Sequence, residues 1–424
     1  MDSCEFQNDG HVVFTEEMKR DYTILVPTML PRHFKIMVGI FRSYGYNLEI
    51  LENMGDDVIQ NGLKYVHNDT CYPAQLVIGQ MIDALESRKY DSHKVALMIT
   101  QTGGGCRASN YIHLLRKAIV KAGYGYIPVI SLNVSGLEKG SAFKLTLPMI
   151  HRLVYAICYG DLLMDLVNQS RPYEKNKGES EKLADVWTKR LTDEMKDGHV
   201  SRRRAKKNYR MIIEDFAKLP RNAGQKVRVG IVGEIFVKYS PLGNNNLEEF
   251  LISEGAETVM PGLLDFCLFV MYNQMEDKRL YGTHKVSAVV YSLLYKLFLS
   301  IQMDLIRAMR ENGFFKAPMA FAKVPEMANG VIGLGVKMGE GWLLTAEMIE
   351  LIHEGVNNIV CTQPFGCLPN HIAGKGMMKP IKEKYPTANI VAIDYDSGAT
   401  KINQENRIKL MLSNAAGEKE TERV

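Results

Sequence analysis

The sequence predicts an α/β protein of two Rossmann-like parallel-sheet domains, with a helical insertion or linker between them. Three observations predict it. Over residues 21–147, short unbroken apolar runs alternate with amphipathic stretches. Over 148–225 the apolar residues keep helical spacing only, and at Val227 the alternation resumes. Strands buried on both faces read as continuous Val/Ile/Leu runs, and their alternation with helices implies parallel sheets covered on both sides.

Residues 1–20 read as a loose tail or short edge segment. In the first domain (21–147), Tyr22 to Pro27 is a buried strand, Arg32 to Tyr44 a helix and Asn47 to Leu51 a strand. A helix from Pro73 to Ser87, the strand Lys94 to Gln101, a helix from Ala108 to Ala122 and the strand Ile127 to Val134 follow. Between Pro148 and Leu219 lie three helical segments, the last opening on the basic run Ser201 to Lys207. That run is a solvated helix face or a patch for a phosphate-bearing ligand or acidic partner. In the second domain (226–424), VRVGIVGEIFV is a strand running into a turn at Gly233 and Glu234, with a helix near Leu247 to Gly255. Residues 263–272 and 284–312 are helical or mixed, Val356 to Val360 and Ile390 to Ile393 are strands, and NGVIGLGVKMGEG (329–341) is a loop.

The 424 residues are 46% hydrophobic and 24% charged, ordinary globular composition with length for two or three domains. With 52 basic and 48 acidic residues, the net charge of +4 is too balanced for a nucleic-acid binder, and no nucleic-acid-binding signature compensates. The N-terminus lacks a basic region followed by an apolar one, so no signal peptide is expected. The most apolar stretch, Val286 to Ile306, carries Lys296 and Asp304 and reads as a buried helix rather than a membrane span. A cytoplasmic location is expected.

Seven scattered cysteines in such a chain do not suggest a disulfide framework. Their local sequences sort them. Cys71, in NDTCYPAQ, precedes a helix whose first turn holds Pro73. Cys106, in TQTGGGCRASNY, sits between a buried strand and a helix. Cys361 and Cys367, in IVCTQPFGCLPNH, follow a buried strand. In an open parallel sheet these are the carboxyl-end loops where ligands bind. Helix N-termini favour a thiolate and offer free N–H groups to cluster sulfides. Converging thiolates of this kind suit an iron–sulfur cubane. Zinc remains an alternative, although the C-x₂-C pairs of structural zinc sites are absent. Cys158 and Cys267 lie in apolar runs and read as core, and Cys4 lies in the tail.

The segments NDTCYPAQ, QTGGGCRASNY, IPVISLN, VGEIFVKYSPLGNNNLEEFL and QPFGCLPNHIAGKG resemble the 2-hydroxyacyl-CoA dehydratase family. They look closest to its acyl-CoA dehydratase activase-related branch, often the C-terminal part of a longer chain that also holds an ATPase activator. The resemblance runs from Tyr22 to Arg407. It implies two Rossmann-like domains around a buried [4Fe–4S] cluster on three cysteines, with one iron open. Carried over, the ligands are Cys71, Cys106 and Cys367, with Cys361 as rival or additional ligand. A relative with a double-cubane cluster on six cysteines is the alternative. The resemblance also implies an ATP-dependent activator as electron donor, a CoA-thioester substrate, and a homodimer or a heterodimer with a related subunit. The activator's own nucleotide-binding signatures are absent, so this chain is not expected to be the ATPase.

Other residues near these motifs are candidates for the same site. Glu234 is a candidate general base or cluster-side hydrogen-bond partner, against a structural cap. Arg107, Ser109 and Asn110 follow Cys106 and are expected to line its cavity. Asn245 is a turn residue or a substrate contact, and His371 a structural residue beside the cysteine loop or a site residue. Lys375, between two glycines, suits an anion such as a CoA phosphate or a plain turn. Three activities remain open: radical dehydration of a CoA thioester, reduction of another small molecule, and electron carriage or scaffolding without a substrate pocket. A structural metal is the fourth reading.

Overall fold

Among the described residues, eight strands form two four-stranded parallel sheets, with unbroken apolar runs at their centres. A computed structural model describes residues 11–101, 105–133, 141–198, 200–283 and 285–421. The first sheet contains β1 (Thr23–Val26), β2 (Asn47–Ile50), β3 (Val95–Gln101) and β4 (Val129–Asn133), in the order β2-β1-β3-β4. The second contains β5 (Val227–Gly233), β6 (Ala256–Val259), β7 (Asn358–Pro364) and β8 (Asn389–Tyr395), in the order β6-β5-β7-β8. Each sheet therefore repeats one topology: its first and third strands are central, and the chain leaves them toward opposite edges. The crevice outside their carboxyl ends is the switch point where such sheets bind ligands.

The helix Tyr72–Glu86 leads into β3 and is buried along nearly its whole length, from Tyr72 to Leu85. It can be enclosed because its sequence, YPAQLVIGQMIDALE, is apolar on every side. One core joins it to both sheets, including Leu25 and Leu97 from the first and Val229, Ile231 and Val360 from the second. Its crossing with the helix Asp56–Tyr65 is close. A Cβ on Gly79 would lie 2.1 Å from the Val58 carbonyl oxygen, and one on Gly62 would lie 2.4 Å from the Gln75 carbonyl oxygen. Gly79→Ala is expected to force these helices apart and destabilise the protein by about 1–3 kcal/mol, read from urea unfolding.

The second core is helical. The three expected central helices are Leu147–Ser170, Glu179–Lys196 and Arg202–Ala217. Leu263–Tyr281 and Lys285–Asn312 join them around Leu162, Trp187, Tyr209, Phe269 and Trp342. Asp161 fastens this layer: its carboxylate accepts the N–H groups of Leu263 (2.8 Å) and Leu264 (3.0 Å) and pairs with the His33 ring at 2.8 Å. The basic run after Ser201 faces neighbouring acids. Arg202 and Lys206 pair with Asp304, and Arg204 with Glu194. Ser287–Asn312 is long and apolar enough to cross a membrane, and 33% of its most apolar window is buried. Its Phe298, Ile301, Leu305 and Met309 enter the helical core, whereas Val289, Val290, Leu293 and Leu297 are exposed.

Several expected boundaries move. From residue 11 the supposed tail is folded: Val12, Val13 and Phe14 are buried, and Thr15 caps the helix Glu16–Asp21. The helix Asp56–Tyr65 and the short strand β6 carried no clear apolar period and were not expected. The strand placed at Val356 to Val360 runs instead from Asn358 to Pro364, so Cys361 lies inside it rather than past its end. Cys4, Gly103, Gly104 and Val134 lie outside the described residues.

Candidate metal centre

Three of the four candidate cysteines meet at the switch points. Cys106 follows β3, and Cys367 follows β7, the corresponding strand of the other sheet. Cys71 is the N-cap of the helix leading into β3. All three are free thiols lining one cavity of about 390 Å³, with Tyr111, Glu234, Phe266, Glu340 and Pro369 among its walls.

Local sequence sets each position. Before Cys71, the buried Gln75 amide donates to the carbonyls of Asn68 (2.9 Å) and Thr70 (3.0 Å), fixing the loop. Ser397, from the second sheet's side, donates to Gln75 Oε1 at 2.7 Å. The Tyr72 N–H donates to the Phe365 carbonyl at 3.0 Å, tying the two cysteine loops together. Gly366 makes this approach possible: it has φ +72°, and a Cβ there would lie 3.1 Å from Cys71 Cα. Cys106 caps the short helix Arg107–Asn110, its Sγ accepting the Ala108 N–H at 3.5 Å. Arg107 reaches back to the Asp69 carbonyl, and Ser109 Oγ donates to the Cys106 carbonyl at 2.7 Å.

The sequence candidates divide. Arg107, Glu234 and His371 line the cavity with the three cysteines. His371 Nδ1 donates to the Cys367 carbonyl (2.7 Å) beside the Gln363 side-chain amide, which makes it a brace of the cysteine loop. Ser109 and Asn110 sit on the adjoining turn but do not line the cavity. Asn245 is not brought there: its amide donates to Gln404 at 2.8 Å. Lys375 lies on another groove and pairs with Asp394 at 3.1 Å. Cys361 is also elsewhere, fully buried among Val232, Ile359 and Ile390, with its Sγ 3.6 Å from Asn370 Oδ1. A mid-strand residue facing the core cannot reach the loop edge without unpairing β7. Cys158 is fully buried as expected, and Cys267 is partly exposed.

Two wall residues escaped the sequence reading. Tyr111 places its hydroxyl 3.0 Å from Cys71 Sγ. Glu340 accepts the Ile235 N–H at 3.0 Å and immediately precedes Gly341, the N-cap of the helix Trp342–His353. That helix leads into β7 as Tyr72–Glu86 leads into β3, so Glu340 stands close to the place that Cys71 takes in the first domain. The available signal was a lone acid in a glycine-rich stretch ahead of an apolar helix.

Burial dominates the electrostatics. It raises the Cys71 thiol despite the Tyr111 hydroxyl, lifts Cys106 to about 11, and raises Cys367 further. Helix starts alone therefore do not make these groups thiolates. A metal must displace the protons, and its uptake is favoured as pH rises. Burial, then repulsion from Glu340, lifts Glu234 to about 8, and burial also raises Glu340. The Glu234 carboxyl therefore sits ready to hold a proton near neutrality, and Glu340 is shifted in the same direction. The sign for stability follows. Glu234 titrates near its ordinary 4.5 when unfolded and near 8 when folded. Its favourable contribution is therefore complete below pH 4.5 and is lost as pH rises through 8. Urea unfolding of metal-free protein is expected to show stability falling between pH 5 and 9, with a smaller fall in Glu234→Gln.

The donor set fits a cubane held at three corners: three thiols from separate loops lining one cavity whose walls are mostly apolar. Among the described residues, no three His, Cys, Asp or Glu side chains stand close enough to share a single metal ion. On a cubane each thiolate has its own iron, so the sulfurs stand wider apart than the roughly 3.8 Å of a tetrahedral zinc site. No family model matches the chain, and no curated protein matches its sequence.

Proposed function

We propose that this chain is a cytoplasmic iron–sulfur protein of the 2-hydroxyacyl-CoA dehydratase type, holding a [4Fe–4S] cluster on Cys71, Cys106 and Cys367. In this reading it takes an electron from an ATP-dependent activator and acts on a CoA thioester. The observation that carries the proposal is the meeting of these three cysteines, from both sheets, around one cavity. The burial of Cys361 inside β7 favours three ligands over four. Three ligands leave an iron open, which suits catalysis better than electron carriage, as an open position does in catalytic metal sites generally.

When bound, the cluster would supply a low-potential electron to the thioester, which lets an otherwise unreactive hydroxyl depart. The chain's own residues do the rest. Tyr111 orients Cys71 through its hydroxyl. Phe266, Ile235 and Leu368 wall the cavity with apolar surface and limit water. Glu234 and Glu340, raised by burial, can hold a proton at a carboxyl oxygen for a departing hydroxyl. Arg107 lines the same cavity and is placed to meet a carbonyl or anionic group.

Adding a short-chain 2-hydroxyacyl-CoA to anaerobically reduced protein tests this reading. A changed EPR spectrum, absent with free CoA, is expected. A reduced cluster whose spectrum ignores every thioester would contradict it and favour a carrier.

A further inference from the structure

A second, smaller cavity lies away from the cysteines, where the helix Leu147–Ser170 crosses the edge of the second sheet. Its volume is about 40 Å³. Asp165 and Asn168 enter it from that helix, Thr258 from β6, and Glu350 and Glu354 from the helix Trp342–His353. Asp265 completes the acidic lining.

The cavity is unusual because three of its polar side chains are deeply buried and carry unpartnered atoms. Asn168 is 2% exposed and Thr258 1%, yet Asn168 Oδ1 and Nδ2 and Thr258 Oγ1 have no hydrogen-bond partner. Glu350 is 5% exposed, and its Oε2 also lacks a partner. A buried polar atom left unpaired costs about 1–3 kcal/mol, more if charged, so native proteins rarely leave several together. Charge is unbalanced too: four carboxylates face Arg228 and Lys316. Arg228 is engaged elsewhere, its Nε donating to Glu257 at 3.0 Å and its Nη1 to the Glu354 carbonyl at 3.0 Å.

We propose that this cavity is a binding site for a hard divalent cation, calcium in preference to magnesium, with Glu350, Asp165, Asn168 Oδ1 and Thr258 Oγ1 as its oxygen ligands. The donor set is all oxygen and mixes carboxylate, amide and hydroxyl, which is calcium's chemistry. Calcium's roughly six oxygens would come from both carboxylates binding through two oxygens each plus the amide and hydroxyl, whereas magnesium keeps several of its waters and the space here leaves room for very few. The ion would occupy the unpartnered Glu350, Asn168 and Thr258 oxygens at once, leaving Asn168 Nδ2 for a carboxylate oxygen. It would also offset the burial, and the repulsion from Asp265 and Glu354, that raise both Glu350 and Asp165. By joining two helices and a strand, it would clamp the helical layer onto the second sheet, independently of whether the cysteines hold a cluster.

The test uses the full chain, dialysed against chelator and then against chelator-free buffer. With 1 mM CaCl₂, a rise in Tm of at least 5 °C and one retained calcium per chain by elemental analysis are expected. MgCl₂ and KCl are expected to give less than half that shift. Glu350→Gln should weaken calcium binding at least tenfold, and Thr258→Val, which keeps every charge, should weaken it several-fold. Equal responses in wild type and both variants would overturn the proposal. So would the absence of any calcium effect together with a higher Tm for Glu350→Gln, because the cavity would then hold water only. A larger shift with magnesium or potassium would overturn the assignment to calcium.

Discussion

Cys71→Ala, Cys106→Ala and Cys367→Ala are each expected to lose most of the iron that the wild type takes up under anaerobic reconstitution, whereas Cys361→Ala keeps it. The first three thiols line one cavity, while Cys361 sits within β7 among core residues. The contrast between Cys361 and Cys367 is the sharp part, because the two lie six residues apart in one motif. A merely structural role would predict the reverse order: Cys361 is fully buried, so its truncation should disturb packing more than that of Cys106, which is partly exposed. Iron and acid-labile sulfide per chain, measured beside circular dichroism, separate ligand loss from unfolding. Loss of iron in Cys361→Ala together with retention in Cys367→Ala would reassign the third ligand.

Lys238→Met is expected to destabilise the protein by about 3–5 kcal/mol, the usual cost of leaving one partner of a buried ion pair uncompensated. The Lys238 ammonium lies 3.0 and 3.3 Å from the two Glu347 carboxylate oxygens, and both side chains are almost wholly buried. Burial already raises Glu347, with Lys238 holding it down. Without the ammonium the carboxyl takes up a proton instead, so the loss should be greatest at high pH and smaller near pH 5. Replacing both residues, as Lys238→Met with Glu347→Leu, should recover most of the stability. Urea unfolding of the single and double variants at two pH values checks this. The effect bears on the proposed metal centre, because Lys238 also lowers the nearby Glu234 and Glu340 carboxyls.

Much of the fold was legible because the strands are buried on both faces. YTILVP, KVALMITQ and VRVGIVG are unbroken apolar runs that no exposed element would carry, and all three became central strands. The edge strand β6, AETV, is short and half polar, so nothing marked it. The helix Asp56–Tyr65 was hidden for a different reason: few of its residues are buried, and its contact with the neighbouring helix is made through glycine backbone rather than apolar side chains. The loop of Cys106 announced itself through its strand-to-helix position, and that of Cys71 through the proline in the first turn of the helix it precedes. Cys361 did not, because its strand extends three residues beyond the apolar run into TQP, paired with β5 as far as Thr362 and with β8 as far as Pro364. Tyr111 follows the Cys106 turn within the first domain, whereas Glu340 reaches the cavity from the second, a tertiary approach that local sequence does not encode.

The most direct test of the proposed metal centre is the quantity of iron and acid-labile sulfide bound by the anaerobically reconstituted wild-type chain. About four of each per chain is the predicted result, for one cubane on three cysteines. About eight irons would point to the double-cubane alternative, and a folded protein that holds no iron would contradict the account.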